Sequence, residues 1–260
     1  MKPFAESPFR TIAWRLWLPT AILALWEILA AQGLLNALFF PAPSRLARFA
    51  WHMVLDGELP SALSATFSRM FFGSAIGIAA GLITGLAMGI LTPVRKSLEP
   101  LISGLNSTPK LAIMPMLLIF TGVGETARLV PIALTSFIVV AVNAVDAVRN
   151  INQAYIELAH NYGARGWLLL RRVYIPASLP HVFTGLRLAL GRGLVITISV
   201  ELLGSADGLG SLIWMAWQTF ATERLYVGVA STALTGALVH EALHLSERRL
   251  LPWRQRAGAA

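Results

Sequence analysis

Long apolar stretches separated by short polar ones run through most of this chain. Six of them are long enough to cross a hydrocarbon core of about 30 Å, which takes about 20 residues of helix. They cover residues 16–35, 67–91, 98–121, 127–145, 184–203 and 227–245. The pattern predicts an all-α, polytopic membrane bundle of about six transmembrane helices, with residues 16–245 forming the transmembrane domain.

Composition and charge support a membrane location. Of the 260 residues, 56% are hydrophobic and 13% are charged, whereas soluble domains carry about 25% charged residues. The net charge of +8 would also suit nucleic acid, but the chain lacks a polar face for such a partner. We therefore expect contact with membrane lipid and no nucleic acid. The absence of cysteine excludes disulfides, iron–sulfur clusters and thiol catalysis, and no cofactor is expected.

The positively charged residues between the spans are unevenly divided between the two sides. With the N-terminus inside, the inner side receives Lys2, Arg10, Arg15, Arg95, Lys96, Arg149, Arg165, Arg171, Arg172, Arg248, Arg249, Arg254 and Arg256. The outer side receives Arg45, Arg48, Arg128 and Arg224. Because cytoplasmic loops are enriched in lysine and arginine, both termini are predicted to be cytoplasmic. Residues 1–15 and the basic tail 246–260 then lie in the cytoplasm, as does the long loop 146–181.

A glycine ladder runs along the second predicted span. Its members are Gly73, Gly77, Gly81, Gly85 and Gly89. The four-residue spacing places them on one face of a helix, where the missing side chains let another backbone approach closely. The ladder predicts a packed helix face, and the sequence leaves open whether the neighbour belongs to the same subunit or to another.

The third span is interrupted by Pro109 and Pro115, with Lys110 between them. Proline kinks a helix and frees backbone carbonyls, which is tolerated beside neighbouring helices or a cavity. We therefore place Thr108, Lys110 and Met114 near a translocation path. The alternative for Lys110 is that its ammonium reaches the membrane surface.

Glu201 lies late in the fifth span. An ionisable residue inside a membrane is a functional candidate by default, which places Glu201 at the outer end of the path. A structural role is the alternative, in which Glu201 neutralises Arg192 or another internal cation.

A literal H-E-x-x-H motif occurs at residues 240–244. On a helix this spacing puts His240 and His244 on one face, where they could bind zinc beside a glutamate base. A catalytic zinc also needs a third protein ligand, and after His244 only Glu247 remains as a candidate. The enzyme alternative is thus an intramembrane zinc metalloprotease. The competing interpretation is a polar helix end at the membrane interface, without metal.

The polar loop carries a spaced pattern that resembles a known family. The matching residues are Glu157, Ala159, Gly163 and Pro176. They stand as in the EAA loop of permease subunits of ATP-binding cassette (ABC) importers, which reads E-A-A, three residues, G, nine residues, I-x-L-P. Val173 and Ile175 are conservative replacements, and Leu158 is a departure. Pro176 and Pro180 are expected to end a helix before the fifth span.

The resemblance extends over nearly the whole chain, to the branch that includes nitrate, taurine and aliphatic-sulfonate permeases. Further matching segments lie at residues 40–44, 109–115, 122–125, 184–189, 208–210 and 248–254, together with Arg69 and Glu201. Asn106 stands where an arginine is common, and Thr121 where phenylalanine is usual. Both departures affect which substrate the resemblance implies, and neither changes the implied function.

The resemblance implies a type I importer permease of a bacterial inner membrane. It further implies a homodimer, a separate ATP-binding cassette ATPase, and a periplasmic or lipid-anchored substrate-binding protein received around residues 39–60 and 206–224. In the loop, Glu157 would be the polar contact with the ATPase and Gly163 the turn, with Ala159, Ala164 and Pro176 in the same coupling segment. The solute would be small and anionic, such as a sulfonate, taurine or nitrate.

The chain has no ATP-binding loop of its own. Such a loop needs glycine directly before its lysine, whereas Lys2, Lys96 and Lys110 follow methionine, arginine and proline. We therefore expect a transport subunit that is not itself an enzyme. An ATP-independent secondary transporter is the second alternative, although such proteins often show an internal repeat with broken helices in both halves, and none is visible here.

Overall fold

The computed structural model describes residues 8–250. Within that range the chain is built from helices and contains no strand. Lys2, Arg254 and Arg256, counted above among the cytoplasmic cations, lie outside the described residues. The same holds for the first part of the predicted N-terminal segment and the last part of the basic tail.

The helices follow the predicted spans, with shorter helices between them. They are α1 Pro8–Ala31, α2 Pro43–Leu55, α3 Glu58–Ile90, α4 Thr92–Ser107, α5 Met114–Thr121, α6 Glu125–Arg149, α7 Gln153–Asn161, α8 Gly166–Leu169, α9 Ile175–Gly204, α10 Leu209–Gln218 and α11 Thr222–Leu250. A 3₁₀ turn, Lys110–Ile113, joins α4 to α5, and a π-helical turn, Leu170–Tyr174, joins α8 to α9.

The six predicted spans correspond to α1, α3, the pair α4 and α5, α6, α9 and α11. In the described range, α3 and α6 are both long and apolar enough to cross a membrane. Helices α9 and α11 have 30 and 29 residues and are therefore about 45 Å long, which exceeds the hydrocarbon thickness. The regions around α2 and α10, expected as loops, contain these short helices.

The centre of the bundle is the packing of α3 against α6. A Cβ added at Gly77 would lie 2.1 Å from the carbonyl oxygen of Ala133, and one at Gly85 would lie 2.5 Å from that of Ala141. Only hydrogen fits between the two backbones at these positions. The glycine ladder thus faces α6 of the same chain.

Helix α9 completes the core by packing against both α3 and α6. Gly193 lies against Ser74 of α3, where a Cβ would come within 2.6 Å of the serine Oγ. Gly185 similarly approaches Asn143 of α6. These contacts make α3, α6 and α9 one packed layer around which the other helices are arranged.

The third span is divided into two helices by a non-helical segment, whereas a kink alone would leave one helix. Helix α4 ends at Ser107, and Thr108 and Pro109 are extended before the 3₁₀ turn begins. Proline disfavours helical conformation in the residue before it, which accounts for the end of α4. The broken segment packs on α6 and α9 through Met114, Leu111 and their apolar neighbours.

The expectation that Pro176 and Pro180 end a helix before the fifth span is wrong. Helix α9 begins at Ile175, so Pro176 occupies its first turn and Pro180 lies inside it. The N–H of Ile175 donates to the carbonyl of Leu170, which is the five-residue spacing of a π-turn. Because proline has no N–H and its ring collides with a carbonyl one turn back, a widened turn before Pro176 keeps the helix continuous.

Candidate functional site

The predicted coupling segment forms a separate feature at one end of the bundle. Helix α7 is capped by Asn152, whose side chain accepts a hydrogen bond from the N–H of Ala154 at 3.0 Å. The helix ends in a turn at Gly163, where φ is +79°. This left-handed conformation favours glycine because other residues would place Cβ against the backbone. Ala164 then turns inward and is buried.

The exposed surface of α7 is aromatic and apolar. Tyr162 is 85% exposed, Tyr155 59% and Leu158 56%. Glu157 is also exposed, on the same helix. Large apolar side chains left open on a short helix mark a surface suited to protein contact.

A groove of about 450 Å³ separates α7 from the start of α9. Its lining residues are Tyr155, Leu158, Ala159, Tyr162, Arg172, Val173, Pro176 and Ala177. The structure therefore brings together Ala159 and Pro176, two positions that the sequence pattern linked across many residues. Gly163 lies at the turn beside this groove, and Glu157 faces solvent on the helix.

The residues expected near a translocation path differ in their exposure. Thr108 is exposed, and Lys110 is partly exposed with its Nζ donating to the carbonyl of Asn106 at 2.6 Å. Met114 is 2% exposed and packs with Ala127 and Val200. In this structure Met114 thus faces apolar protein, while Thr108 and Lys110 face the outside of the chain.

Glu201 is also enclosed, in an ion cluster that the sequence did not reveal. Its carboxylate accepts from Arg69 Nη1 at 3.0 Å, from Thr66 Oγ1 at 2.9 Å and from the backbone N–H of Gly210 at 2.9 Å. The internal cation that it neutralises is therefore Arg69 of α3, and Arg192 is not its partner. Arg69 appeared in the sequence only as one matching position among many.

The same arginine binds two further carboxylates. Arg69 Nη2 donates to Glu125 at 2.8 Å and also to Asp207, and Arg128 pairs with Glu125 at 2.6 Å. The hydrogen bond from Arg69 lowers the pKa of the Asp207 carboxyl below its ordinary value. The cluster joins α3, α6, α9 and the start of α10 at one end of the bundle.

The H-E-x-x-H motif lies near the end of α11. His244 Nδ1 is 3.9 Å from Glu241 Oε1, and Glu247 is paired with Arg187 of α9. Among residues 8–250, no three histidine, aspartate or glutamate side chains are grouped so that they could hold a metal ion. The geometry therefore offers no third ligand for a zinc site on His240 and His244.

The described residues form an all-helical bundle with an exposed helix and a groove at one end. The chain belongs to the family of binding-protein-dependent transport system inner membrane components, whose sequence profile matches residues 77–252. It is thus an ABC transporter permease subunit rather than an enzyme. This membership supports neither the zinc protease nor the ATP-independent transporter.

Three relatives illustrate the similarity. The putative aliphatic sulfonates transport permease protein SsuC of Escherichia coli K12 is 32% identical over 96% of this chain and 95% of its own. The taurine transport system permease protein TauC of the same strain is 31% identical, covering 89% and 86%. The riboflavin transport system permease protein RibX of Chloroflexus aurantiacus is 32% identical, covering 89% and 87%.

Solved structures share the fold. A chain of the inward-facing MetNI methionine ABC transporter superposes with a TM-score of 0.64 at 18% identity, covering 71% of this chain and 92% of its own. A chain of an amino acid ABC transporter with histidines gives a TM-score of 0.66 at 21% identity, covering 76% and 96%. The fold is therefore that of type I ABC importer permeases.

Proposed function

We propose that this chain forms, with a second copy of itself, the translocation path of an ATP-driven importer. A separate ATPase would bind the segment from α7 to the start of α9. A soluble or lipid-anchored binding protein would deliver solute to the opposite side of the membrane. In this arrangement both termini and residues 146–181 are cytoplasmic, as the distribution of arginine and lysine favours. Closure of the ATPase would then move α9 through the π-turn.

The observation that best supports the proposed ATPase contact is the groove beside α7. It combines an exposed aromatic helix, the φ +79° turn at Gly163 and the continuous connection from Leu170 into α9. A partner bound there would contact α7 and the first turn of α9 together. Because α9 packs on both α3 and α6, a displacement of this end would reach the centre of the bundle.

The exposed position of the broken third span supports a path between two copies. Thr108 and Lys110 lie on the outside of a single chain. Gly104, close to them in α4, borders open space, since no atom would lie within 4 Å of a Cβ added there. Polar groups at membrane depth need a protein or water-filled neighbour. A second copy facing this surface would enclose them.

A small organic sulfonate is the solute class that we propose. Two of the relatives are named for aliphatic sulfonates and taurine, both of which carry a sulfonate group. The riboflavin permease is equally similar in sequence, so overall identity does not separate these solutes. The charge of the path is therefore the property to test.

A pull-down from native membranes in mild detergent tests the coupling site. Gly163→Trp places a bulky side chain at the turn, where no atom lies within 4 Å of an added Cβ, so the fold should persist despite about 1–2 kcal/mol of backbone strain. We expect wild type to retain its ATPase, and the variant to lose about tenfold or more of it, since 1.4 kcal/mol corresponds to a factor of ten.

Gly33→Trp is the matched control. Gly33 has a φ of +71° and the same open surroundings, but it follows α1 and is remote in sequence from α7. It should carry the same strain and keep the ATPase. Equal recovery of ATPase with both variants would remove the coupling assignment.

A further inference from the structure

Two cations of the bundle have no carboxylate partner among residues 8–250. We propose that Arg192 and Lys110 form a cationic site that binds the anionic group of the transported solute midway along the path. The inference rests on the proposed transport function and adds to it the residues that select an anion.

The packing of the broken span brings the two residues together. Leu111 and Met114 of the broken segment lie in the same apolar cluster as Ile196 and Val200 of α9. Arg192 is one helical turn before Ile196, on the same face of α9. Lys110 directly precedes Leu111. The ammonium of Lys110 accordingly experiences the charge of Arg192.

Neither cation has a countercharge within residues 8–250. Lys110 donates to the neutral carbonyl of Asn106 at 2.6 Å, and the exposed Arg192 has neither a hydrogen bond nor an ion pair with a described residue. Three other arginines of the core helices are paired inside the bundle: Arg69 with Glu201, Arg128 with Glu125 and Arg187 with Glu247. Arg149, the last residue of α6, lies at the helix end. Away from the helix ends, Arg192 is thus the arginine of these three helices that has no ion pair with a described residue.

The nearest acidic residues on the same elements do not fill that role. Glu201 of α9 is bound to Arg69, Thr66 and Gly210. Glu99 lies in the middle of α4, about 12 Å from the end of that helix by a rise of 1.5 Å per residue, and the extended Thr108 and Pro109 separate that end from Lys110. We therefore assign the countercharge to the anionic group of the solute.

The depth of Arg192 makes an unpaired charge costly. At about 1.5 Å per residue it lies roughly 25 Å from the start of α9 and roughly 18 Å from its end. Charged side chains at such depth face partners or a water-filled cavity. Gly191 beside it has no atom within 4 Å of an added Cβ, which leaves room for an anion to approach the guanidinium.

A single reporter thiol can measure the local charge, because the natural chain contains no cysteine. Val195 is 65% exposed and lies one turn from Arg192, so Val195→Cys is the reporter. Membrane vesicles holding the complete transporter are treated with anionic sulfonatoethyl methanethiosulfonate or cationic trimethylammonioethyl methanethiosulfonate. The ratio of the two modification rates reports the electrostatic potential at the thiol.

Arg192→Gln in the reporter background should lower the ratio of anionic to cationic modification about fivefold, from Coulomb's law for one unit charge several ångströms away in a wet environment. Lys110→Gln should lower it in the same direction, and Arg192→Lys should preserve it. Lys96→Gln, which removes an exposed cation early in α4, is the matched control and should leave the ratio unchanged.

Two results would overturn the inference. A ratio that is insensitive to both Arg192→Gln and Lys110→Gln would show that the pair does not set the potential, and a thiol that reacts with neither reagent would show that this face is not on a water-accessible path. Because the measurement needs neither solute nor ATPase docking, its failure is distinguishable from failure of the Gly163→Trp pull-down.

Discussion

Arg69 keeps its charge inside the bundle because carboxylates from three parts of the chain surround it. The side chains of Arg69 and Glu201 are 5% and 0% exposed, so each is isolated from water. Removing one member of such a pair leaves an uncompensated buried charge, which is far more destabilising than replacing both. The cluster therefore holds α3, α9 and α10 in register.

Arg69→Met should destabilise the purified protein by about 3–5 kcal/mol, because Glu201 would remain buried without its cation. The double variant Arg69→Met with Glu201→Gln should lose clearly less, since the amide oxygen can still accept from Gly210. Thermal unfolding in detergent, followed by tryptophan fluorescence, measures both. Equal losses in the single and double variants would contradict the pairing.

Asp207 adds a pH-dependent contribution at the same place. Its folded pKa is depressed by Arg69, so its stabilisation is present above the unfolded value of about 3.9 and is lost as the pH falls through the lower folded value. The stability difference between wild type and Asp207→Asn should be constant near pH 6 and shrink below about pH 4. A difference that persists to pH 2 would exclude this linkage.

At the scale of the helices, close packing depends on glycine where two backbones touch. The ladder was predicted from spacing alone, and its neighbour is α6. Both helices of this pair are long and apolar enough, among the described residues, to span a membrane by themselves. This pair is the element on which the shorter and more polar helices assemble.

Gly77→Ala should abolish proper packing of α3 on α6. The added Cβ would lie 2.1 Å from Ala133 O and 2.8 Å from Phe137 N, and the backbone cannot move without separating the helices, so we expect a loss of about 3 kcal/mol or more. Gly104→Ala is the control, since its Cβ meets nothing within 4 Å. Folded yield after detergent extraction distinguishes the two, and equal yields would exclude the close contact.

The π-turn shows how an element can be continuous although its sequence contains proline. Sequence rules place a break before the fifth span, whereas the chain widens by one residue at Leu170–Tyr174 and continues into α9. As a result, the groove beside α7 and the core helix α9 form one connected element. A displacement at α8 can therefore act on the core through continuous helix.

At the scale of the whole molecule, the orientation of the chain in the membrane decides which end of the bundle can bind the ATPase. Tyr162 beside the groove is 85% exposed and Leu34 after α1 is 68% exposed, so each can carry a single cysteine in this cysteine-free chain. A membrane-impermeant maleimide applied to intact cells, with the outer layer permeabilised, should label Leu34→Cys and leave Tyr162→Cys unlabelled until the inner membrane is opened. The reverse labelling would invert the proposed topology.

The sequence by itself determined the class of protein and the helical fold, and it predicted the approximate spans and the proposed coupling segment. These predictions use patterns among residues that are close in the sequence, and such patterns do not depend on tertiary structure. The patterns are the lengths of the apolar runs, the distribution of arginine and lysine, and the spacing from Glu157 to Pro176. Glycine spacing likewise predicted a packed face, and the ionisable Glu201 was recognised as unusual in a membrane.

Only the tertiary structure decided the partners of these residues. Arg69 and Glu201 are 132 positions apart, and no local pattern relates them. The choice of α6 for the glycine ladder and the inward burial of Met114 likewise depend on how the helices cross. An unpaired charge or backbone group inside the membrane is costly because it has lost its water, so each such group needs a partner. These partners come from helices that are distant in the sequence, and the order of residues does not show which helices will meet.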